Sequence, residues 1–552
     1  MRRWSVFGPC LVLYAFLTVL VWGSHAFQRT LWQDDAQLLF RAFSEPGGLV
    51  SGAFVHTANT PTRTLLAVPS ALALLSGAPR EALQVFYGGV WLATAWLAHL
   101  LASRLFGGRL APLLAGSLTA SATSDYLTDS LVALPALWAL ALSFAAIVAA
   151  LRWLDGAPFP WLILACALVQ VSLFTCEYAV PAVVLAPFVF WLARDRRVDR
   201  RLVAGTLVWW GTAVPNLILV ALFLGDTAGY AGTALHARTA GDLARRASRL
   251  FLYNFTPWTW AFARPQWFPP PPSLLPNALR GGFAAAGAAA FLGVAWHRLR
   301  GPDEPPGRRS VALALACLSL ALAANVPFAA VQFSEAFVRT HLHSRVWAAL
   351  GLAGFGQQAW ERSGSSPGRF WPAAVAAVFI ALGVWGGVER QDYFLGYSNR
   401  HRQELASILR QAPALAPQAT LILQAPPHER MLATEAPYLA RAWMTLLYQD
   451  PSVECRVFLW SPEAGATCEA EAEGFLCRSE ISPRCVPAHA PREQRFPYAR
   501  VLMLAYEEAT NAWLPLTPAP SAPLRSPAGL VVAAGPTPLA RDLIGAPGGD
   551  GR

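Results

Sequence analysis

The sequence predicts an α-helical polytopic membrane protein with about eleven transmembrane helices, followed by a small C-terminal α/β domain. Hydrophobic residues make up 55% of the chain and charged residues only 14%, whereas about a quarter of the residues in soluble domains are charged. Uncharged stretches of about 20 residues, long enough to cross a bilayer, recur through roughly the first two thirds of the chain. After them the pattern changes to short apolar, strand-like runs that alternate with helical ones.

The apolar stretches set the approximate limits of the predicted spans. The third and tenth spans are short and could be partly re-entrant. A separate apolar run, Leu65 to Leu75, is too short to cross a bilayer and fits a re-entrant or interfacial helix. In chain order the predicted spans are 4–27, 84–103, 110–124, 130–151, 159–176, 178–193, 202–225, 274–296, 310–331, 346–360 and 370–388.

The arginines predict the orientation of these spans, because cytoplasmic loops carry the excess of positive charge. The chain contains no lysine, so arginine carries the whole signal. Arginines fall at every second connection, which we therefore predict to be cytoplasmic. They are Arg2, Arg3, Arg104, Arg109, Arg152, Arg194, Arg196, Arg197, Arg200, Arg201, Arg298, Arg300, Arg308, Arg309, Arg362 and Arg369.

This orientation predicts a transmembrane domain over 1–390, with long outer loops at 28–83 and 226–273. Residues 1–26 could instead be a cleaved signal peptide, since Ser24-His25-Ala26 is an acceptable cleavage site. The apolar run is long for that role and favours an uncleaved anchor. The predicted location is a bacterial inner membrane, crossed many times, with the C-terminus on the extracytoplasmic side.

The C-terminal part divides into an α/β domain at 391–513 and a tail at 514–552. Strand-like runs begin at Thr420, Val453 and Val501, and helical stretches cover about 399–411 and Tyr438 to Tyr448. Four cysteines in this domain predict two disulfides, with the pairing left open, because an even cluster in an extracytoplasmic domain is typical of disulfides. They are Cys455, Cys468, Cys477 and Cys485. The tail is rich in Pro, Ala and Gly, which predicts disorder.

The net charge limits the class of partner. The formal net charge is +10 and the isoelectric point about 9.5, which favours anionic membrane lipids or a phosphorylated substrate. The chain has no soluble basic domain with a nucleic-acid-binding motif, so nucleic acid is not expected as a partner.

Two adjacent acids, Asp34 and Asp35, follow the first apolar span within the tetrad Trp32-Gln33-Asp34-Asp35. Carboxylates at the edge of a membrane cost free energy unless they face water, a partner or a substrate, so they indicate a functional site. A carboxylate there could act as a general base on an acceptor group. The alternative is a solvated acidic loop.

A basic segment precedes the tenth span and reads Arg339-Thr340-His341-Leu342-His343-Ser344-Arg345. Arginine and histidine side chains there could stabilise the negative charge of a leaving lipid phosphate. They could equally be headgroup anchors. A His-x-His metal site is less favoured, because alternate residues of a helix point to different faces.

The order of these features resembles the GT-C superfamily of membrane glycosyltransferases, which use polyprenyl-phosphate sugars, especially its protein O-mannosyltransferase-like and related bacterial branches. The resemblance covers about residues 1–390. The residues that carry it are Trp32 to Ala36, Asn59 to Arg63, Thr123 to Tyr126 with Asp129, Cys176 to Ala179, and Ser344 to Trp347. It implies a GT-C-like fold and sugar transfer from a polyprenyl-phosphate donor to an extracytoplasmic glycan, lipid or protein acceptor.

The resemblance also implies roles for particular residues. Asp34 or Asp35 would be the catalytic base. Arg345 and Arg339, with His341 and His343, would hold the donor phosphate. Contacts to the rest of the substrate would come from His56, Arg63, Asp125 and Glu177, although Glu177 could instead pair with Arg63 as a structural ion pair. The acids and histidines could also hold a divalent metal ion, which some branches of the superfamily use.

Three alternative functions stay open at this stage. The first is a transporter or flippase of a lipid-linked saccharide, although the sequence lacks the duplicated halves typical of transporters. The second is an enzyme like the O-antigen ligases or polymerases, against which the early acidic pair argues. The third is a catalytically silent scaffold.

Overall fold

A computed structural model describes the parts of the chain on which the following account rests. The described residues are 2–23, 39–40, 65, 68–121, 134–194, 196–226, 239–255, 275–300, 310–329, 342–363, 370–425, 437–450, 452–461, 465–466, 468–478, 493–507, 510, 512–515 and 537–540.

In the part of the chain that the structure describes, eleven helices correspond one to one with the eleven predicted spans. The first, α1, continues beyond Thr18 as a short π-helix, Val19–Gly23. With two further helices that lie between them, α2 and α9, the series runs α1 (Arg2–Thr18), α2 (Val68–Leu75), α3 (Pro79–Leu105), α4 (Leu110–Ser121), α5 (Leu134–Leu154), α6 (Pro160–Thr175), α7 (Val180–Ala193), α8 (Arg200–Asp226), α9 (Ala240–Tyr253), α10 (Asn277–Leu299), α11 (Ser310–Ala329), α12 (Leu342–Arg362) and α13 (Trp371–Gln411).

The chain is a polytopic α-helical membrane protein, as predicted. Within the described residues, six helices are long and apolar enough to cross a membrane, and four shorter apolar helices accompany them. The helix α12 is less apolar than its neighbour α11, although it is central in the bundle. Its residues from His343 to Leu350 are all buried, and it packs against α11 and α4.

Successive long helices run in opposite directions, which gives the bundle two distinct ends. At one end, here called the opposite end, Gln357 near the end of α12 accepts hydrogen bonds from the backbone N–H groups of Leu110 and Ala111 at the start of α4. Arg104 at the end of α3 pairs there with Asp155, just after α5. The other end is here called the domain end, because α13 leaves the bundle there.

The helix α2 falls in the run predicted to be re-entrant or interfacial and is eight residues long. In contrast, α9 lies in the segment predicted to be an outer loop, 226–273, where no helix was predicted. It begins at an N-cap in which the Thr239 side chain accepts a hydrogen bond from the Asp242 N–H. Its apolar residues Ala247 and Leu250 pack against Phe328 and Ala329 at the end of α11.

The helix α13 is 41 residues long and runs through residue 390, where the transmembrane and C-terminal domains were predicted to meet. A membrane helix and a separate helix at about 399–411 were expected, and they form one continuous helix. The charged run from Glu389 to Asp392, which looked like a boundary, lies inside it. Asp392 is buried and accepts a hydrogen bond of 2.6 Å from the Arg280 guanidinium of α10, so the charges are satisfied within the bundle.

The C-terminal domain contains the predicted alternation of strands and helices. In its five-stranded sheet, in the order β3-β2-β1-β7-β8, the three central strands are parallel and β3 and β8 are antiparallel edges. A second sheet, β4-β5-β6, is antiparallel. The elements are β1 (Thr420–Ala425), α14 (Pro437–Tyr448), β2 (Glu454–Ser461), β3 (Gly465–Ala466), β4 (Cys468–Ala470), β5 (Gly474–Arg478), β6 (Glu493–Pro497), β7 (Val501–Glu507) and β8 (Ala512–Pro515).

Side chains alternate across the large sheet, because successive residues of a strand point to opposite faces. Leu421 and Leu423 join the core that includes residues of α13 and α14. Ile422 and Met503 pack on the other face with Phe475 and Phe496 of the small sheet. The end of α13 is thus part of this domain, and Ser407 Oγ accepts a hydrogen bond from the Trp513 N–H at 2.9 Å.

One of the two predicted disulfides is present. Cys468 and Cys477 are directly opposite each other on β4 and β5 and are joined by a disulfide. Cys455 is buried on β2, and Cys485 lies outside the described residues. The second disulfide stays a prediction.

The expected disorder from residue 514 onward does not hold throughout. Strand β8 extends to Pro515. Residues 537–540 pack against α14, where Thr537 Oγ1 donates a hydrogen bond to the Leu447 carbonyl oxygen at 3.0 Å and Ala540 is fully buried. Apolar burial and this hydrogen bond explain the order of the segment.

Candidate functional site

The predicted site residues fall into two groups in the structure. His343 and Arg345 are described with their side chains, and Glu177 is described through its backbone. The others lie outside the described residues, so their roles stay predictions. They are Asp34, Asp35, His56, Arg63, Asp125, Arg339 and His341.

The first turn of α12 carries three buried polar residues at the domain end. His343 and Ser344 are fully buried, and Arg345 is 3% exposed. An always-charged guanidinium is buried in this way where it meets anionic or hydrogen-bonding groups, since its desolvation costs several kcal/mol. The burial of Arg345 therefore distinguishes it from the headgroup anchors considered for this segment, whose charged tips lie in water.

The buried ring of His343 is a second unusual feature of the first turn of α12. Neither ring nitrogen has a hydrogen-bond partner among the described residues. Buried side-chain nitrogens are nearly always paired in native proteins, and a ligand is one of the explanations for an exception. The buried ring of His343 is therefore a candidate ligand contact at the start of α12.

Asn254 connects this turn to α9. The residue follows the last turn of α9 and is fully buried, and its Oδ1 accepts a 2.7 Å hydrogen bond from Ser344 Oγ. Asn254 Nδ2 has no hydrogen-bond partner within the described part of the chain. The bond joins residues 90 positions apart and holds the end of α9 beside the residue that precedes Arg345.

The junction of α6 and α7 lies at the same end of the bundle. It is a single turn of 3₁₀-helix, Glu177–Ala179, which follows the buried Cys176. The Tyr178 ring contacts the Phe328 ring of α11 edge to face, with ring centroids 5.4 Å apart. Tyr178 also packs against the cluster in which Ala247 and Leu250 of α9 contact the end of α11. The backbone of Glu177 thus lies next to a residue that packs against α9 and α11, and its role as a substrate contact stays a prediction.

Two further arginines lie at the domain end, Arg80 on α3 and Arg402 on the part of α13 beyond its membrane span. Burial, followed by the positive charge of Arg80, lowers the pKa of Arg402. Arg80, at the start of α3, also forms an ion pair with Glu81. The positive charges of Arg80 on α3 and Arg402 on α13 are thus close enough to influence each other.

The described residues do not form a metal site. Among the described residues, no group of three or more His, Cys, Asp or Glu side chains could hold a metal ion. The acids and one of the two histidines considered for metal binding lie outside this part of the chain, so metal binding stays a prediction.

Asn254 and the helix that carries it were missed from the sequence. The available signal was Thr239 followed three residues later by Asp242, with apolar residues at 243, 247 and 250, which is a capped amphipathic helix. The contact between Asn254 and Ser344 has no sequence signal, because it depends on how α9 packs against α11.

No family model matches this sequence, and no curated protein sequence matches it. Among solved structures, the chain is similar to ArnT from Cupriavidus metallidurans, whose crystal structure was determined in the apo state. The sequences are 17% identical, the similarity covers 78% of this chain and 84% of that one, and the TM-score is 0.36.

Proposed function

We propose that this protein is a membrane glycosyltransferase of the GT-C type, which transfers a sugar from a polyprenyl-phosphate donor to an extracytoplasmic acceptor. The observation that carries the proposal is the buried polar turn of α12, with Arg345, His343 and the Asn254–Ser344 hydrogen bond, at the domain end. The first long helix also ends there, at Gly23, and the loop with the acidic pair follows it.

In this reaction the carboxylate of Asp34 or Asp35 takes the proton of an acceptor hydroxyl or amide as that group attacks the anomeric carbon of the sugar. The bond between the anomeric carbon and the phosphate oxygen breaks, and polyprenyl phosphate leaves. Arg345 stabilises the negative charge that develops on the leaving phosphate, an effect that is strong where water is excluded. Arg339, His341 and His343 assist it. His56, Arg63, Asp125 and Glu177 contact the rest of the substrate.

The proposal is tested by incubating the purified full chain with labelled polyprenyl-phosphate sugars and a membrane extract that supplies acceptors. Loss of label from the lipid, with its appearance on an acceptor, is expected. Movement of intact lipid-linked sugar across proteoliposomes without cleavage would instead support a transporter.

Replacement of Arg345 tests the phosphate contact. Arg345→Ala is expected to weaken donor binding by about 10- to 100-fold, because a hydrogen bond to a charged group contributes about 1.5–3 kcal/mol. Arg345→Lys should bind with intermediate affinity, since lysine keeps the charge but lacks the planar fork. Donor titration of folded, detergent-purified variants measures this.

The matched control is Arg245→Ala, which removes a positive charge from the exposed face of α9 at the same end. It should bind donor as the parent does. Equal donor affinity in the parent, Arg345→Ala and Arg345→Lys would rule out a phosphate contact at this position.

The orientation is tested separately. A reporter fused after Tyr393 is expected to show activity of the extracytoplasmic type, in keeping with the arginine pattern and with the Cys468–Cys477 disulfide, since disulfides persist in oxidising compartments. Reporter activity of the cytoplasmic type would reverse the topology and place the proposed site on the wrong side of the membrane.

A further inference from the structure

Three helices meet at the first turn of α12. Both α9 and α12 pack against α11. Ala247 and Leu250 of α9 contact Phe328 and Ala329 at the end of α11. Arg246 Nη1 of α9 also donates a hydrogen bond to the Ala329 carbonyl oxygen at 3.3 Å. The position of α9 is thus fixed on α11 by apolar packing and by a hydrogen bond.

Asn254 joins α9 directly to α12. The residue is fully buried at the end of α9, and its Oδ1 accepts the 2.7 Å hydrogen bond from Ser344 Oγ. The first turn of a helix frays readily, because its N–H groups have no partners within the helix. Ser344 lies in that turn and immediately precedes Arg345. The hydrogen bond from Asn254 therefore fixes the backbone from which the Arg345 side chain extends.

The Asn254–Ser344 pair is a poor means of stabilising the fold. Asn254 Nδ2 is buried without a hydrogen-bond partner in the part of the chain that the structure describes. One neutral hydrogen bond contributes less to stability, on average, than the burial of an unpartnered N–H group costs. An apolar pair of the same size would make a more stable contact. The pair is therefore better explained by what it positions than by what it stabilises.

We propose that Asn254 is a positioning residue for the donor phosphate. Through Ser344 it holds the first turn of α12 in the place from which Arg345 contacts the phosphate of the lipid-linked sugar. The inference rests on the proposed function, because it gives Asn254 a part in the phosphate contact of Arg345. Donor binding then depends on the position of α9, a helix that carries none of the residues proposed to touch the donor.

The test is titration of the detergent-purified full chain with polyprenyl phosphate, the phosphate-bearing part common to the proposed donors. Asn254→Ala should weaken binding about fivefold, as is typical of coupled neighbouring residues. Its Tm should change little, because the lost hydrogen bond and the removed unpartnered N–H group offset each other.

Two variants of Ser344 show whether the hydrogen bond carries this effect. Ser344→Ala should weaken binding as much as Asn254→Ala does, and the Asn254→Ala/Ser344→Ala double variant should weaken it no further, because both changes break the same bond. Ser344→Thr keeps the hydroxyl and should bind within about twofold of the parent.

A second double variant shows whether Asn254 acts through Arg345. In an Arg345→Ala background, Asn254→Ala should cause no further loss of affinity, whereas a general loosening of the fold would cause the same loss in both backgrounds. The matched control is Asn216→Ala, which truncates a buried asparagine of α8 that donates to Gln170 Oε1 of α6. Its affinity should stay within about twofold of the parent, as expected for an independent site.

The outcomes separate this inference from the proposed function. Parental affinity of Asn254→Ala, with Arg345→Ala impaired, would overturn the positioning role and leave the proposed function standing. Parental affinity of Arg345→Ala would remove the phosphate contact, and the inference with it. A large fall in the Tm of Asn254→Ala, or an equal loss of affinity in the Arg345→Ala background, would show that Asn254 is only structural.

Discussion

Asp34→Asn or Asp35→Asn is expected to lower sugar transfer by about 10² or more while donor binding stays within a few-fold of the parent. An amide keeps the hydrogen-bonding outline of the carboxylate but cannot take a proton. Adjacent residues of an extended segment point to opposite sides, so the two effects should differ, and we expect the larger one at Asp34. Single-turnover transfer from a lipid-linked donor measures both.

The control for this experiment is Asp242→Asn in the first turn of α9, which makes the same chemical change at the same end of the bundle. Transfer should stay within about twofold of the parent, since the Thr239 cap of α9 is kept. If both Asn variants at positions 34 and 35 transfer sugar at the parental rate, the proposed mechanism fails. The transporter or scaffold interpretation then becomes the better one.

Arg280→Met is expected to destabilise the protein by about 3–5 kcal/mol, which is the usual cost of removing one partner from a buried ion pair. Arg280 is 6% exposed and Asp392 2% exposed. Besides its 2.6 Å hydrogen bond to Asp392, the Arg280 guanidinium lies 3.5 Å from the Glu389 carboxylate. The change leaves a buried carboxylate on α13 without its guanidinium. Thermal unfolding in detergent measures the effect as a lower Tm.

Two further variants make this prediction specific. Arg280→Met combined with Asp392→Leu should recover much of the lost stability, because both charges are then gone. Arg478→Gln removes a half-exposed arginine that pairs with Glu493 and Glu469, and its Tm should change little. A parental Tm for Arg280→Met alone would show that the ion pair does not hold α10 to α13.

The membrane helices could be predicted from the sequence because hydrocarbon imposes a long uncharged stretch on each of them. The same criterion explains the errors. It ended the last span at the charged run from Glu389 to Asp392, since a sequence does not show that Arg280 lies alongside. It also passed over α9, whose outward face carries arginines and whose apolar face is visible only as a periodic pattern.

Of the candidate site, too, only a part could be predicted from the sequence. Arg345 and His343 could be singled out because charged residues next to an apolar span are unusual wherever they occur. The burial of both, and the hydrogen bond between Asn254 and Ser344, arise from the packing of α9, α11 and α12 and have no local signal. The pairing of Cys468 with Cys477 likewise depends on the register of β4 against β5.

The unbroken length of α13 has a mechanical consequence. At 1.5 Å per residue its 41 residues form a continuous helix about 60 Å long. The 19 residues of α13 beyond Asp392 account for about 28 Å of that length. The final turns of the helix are also part of the core of the C-terminal domain, so the domain cannot turn relative to the membrane span without bending α13 or disrupting its own core. A tilt of the span is therefore passed on to the domain as a rigid movement.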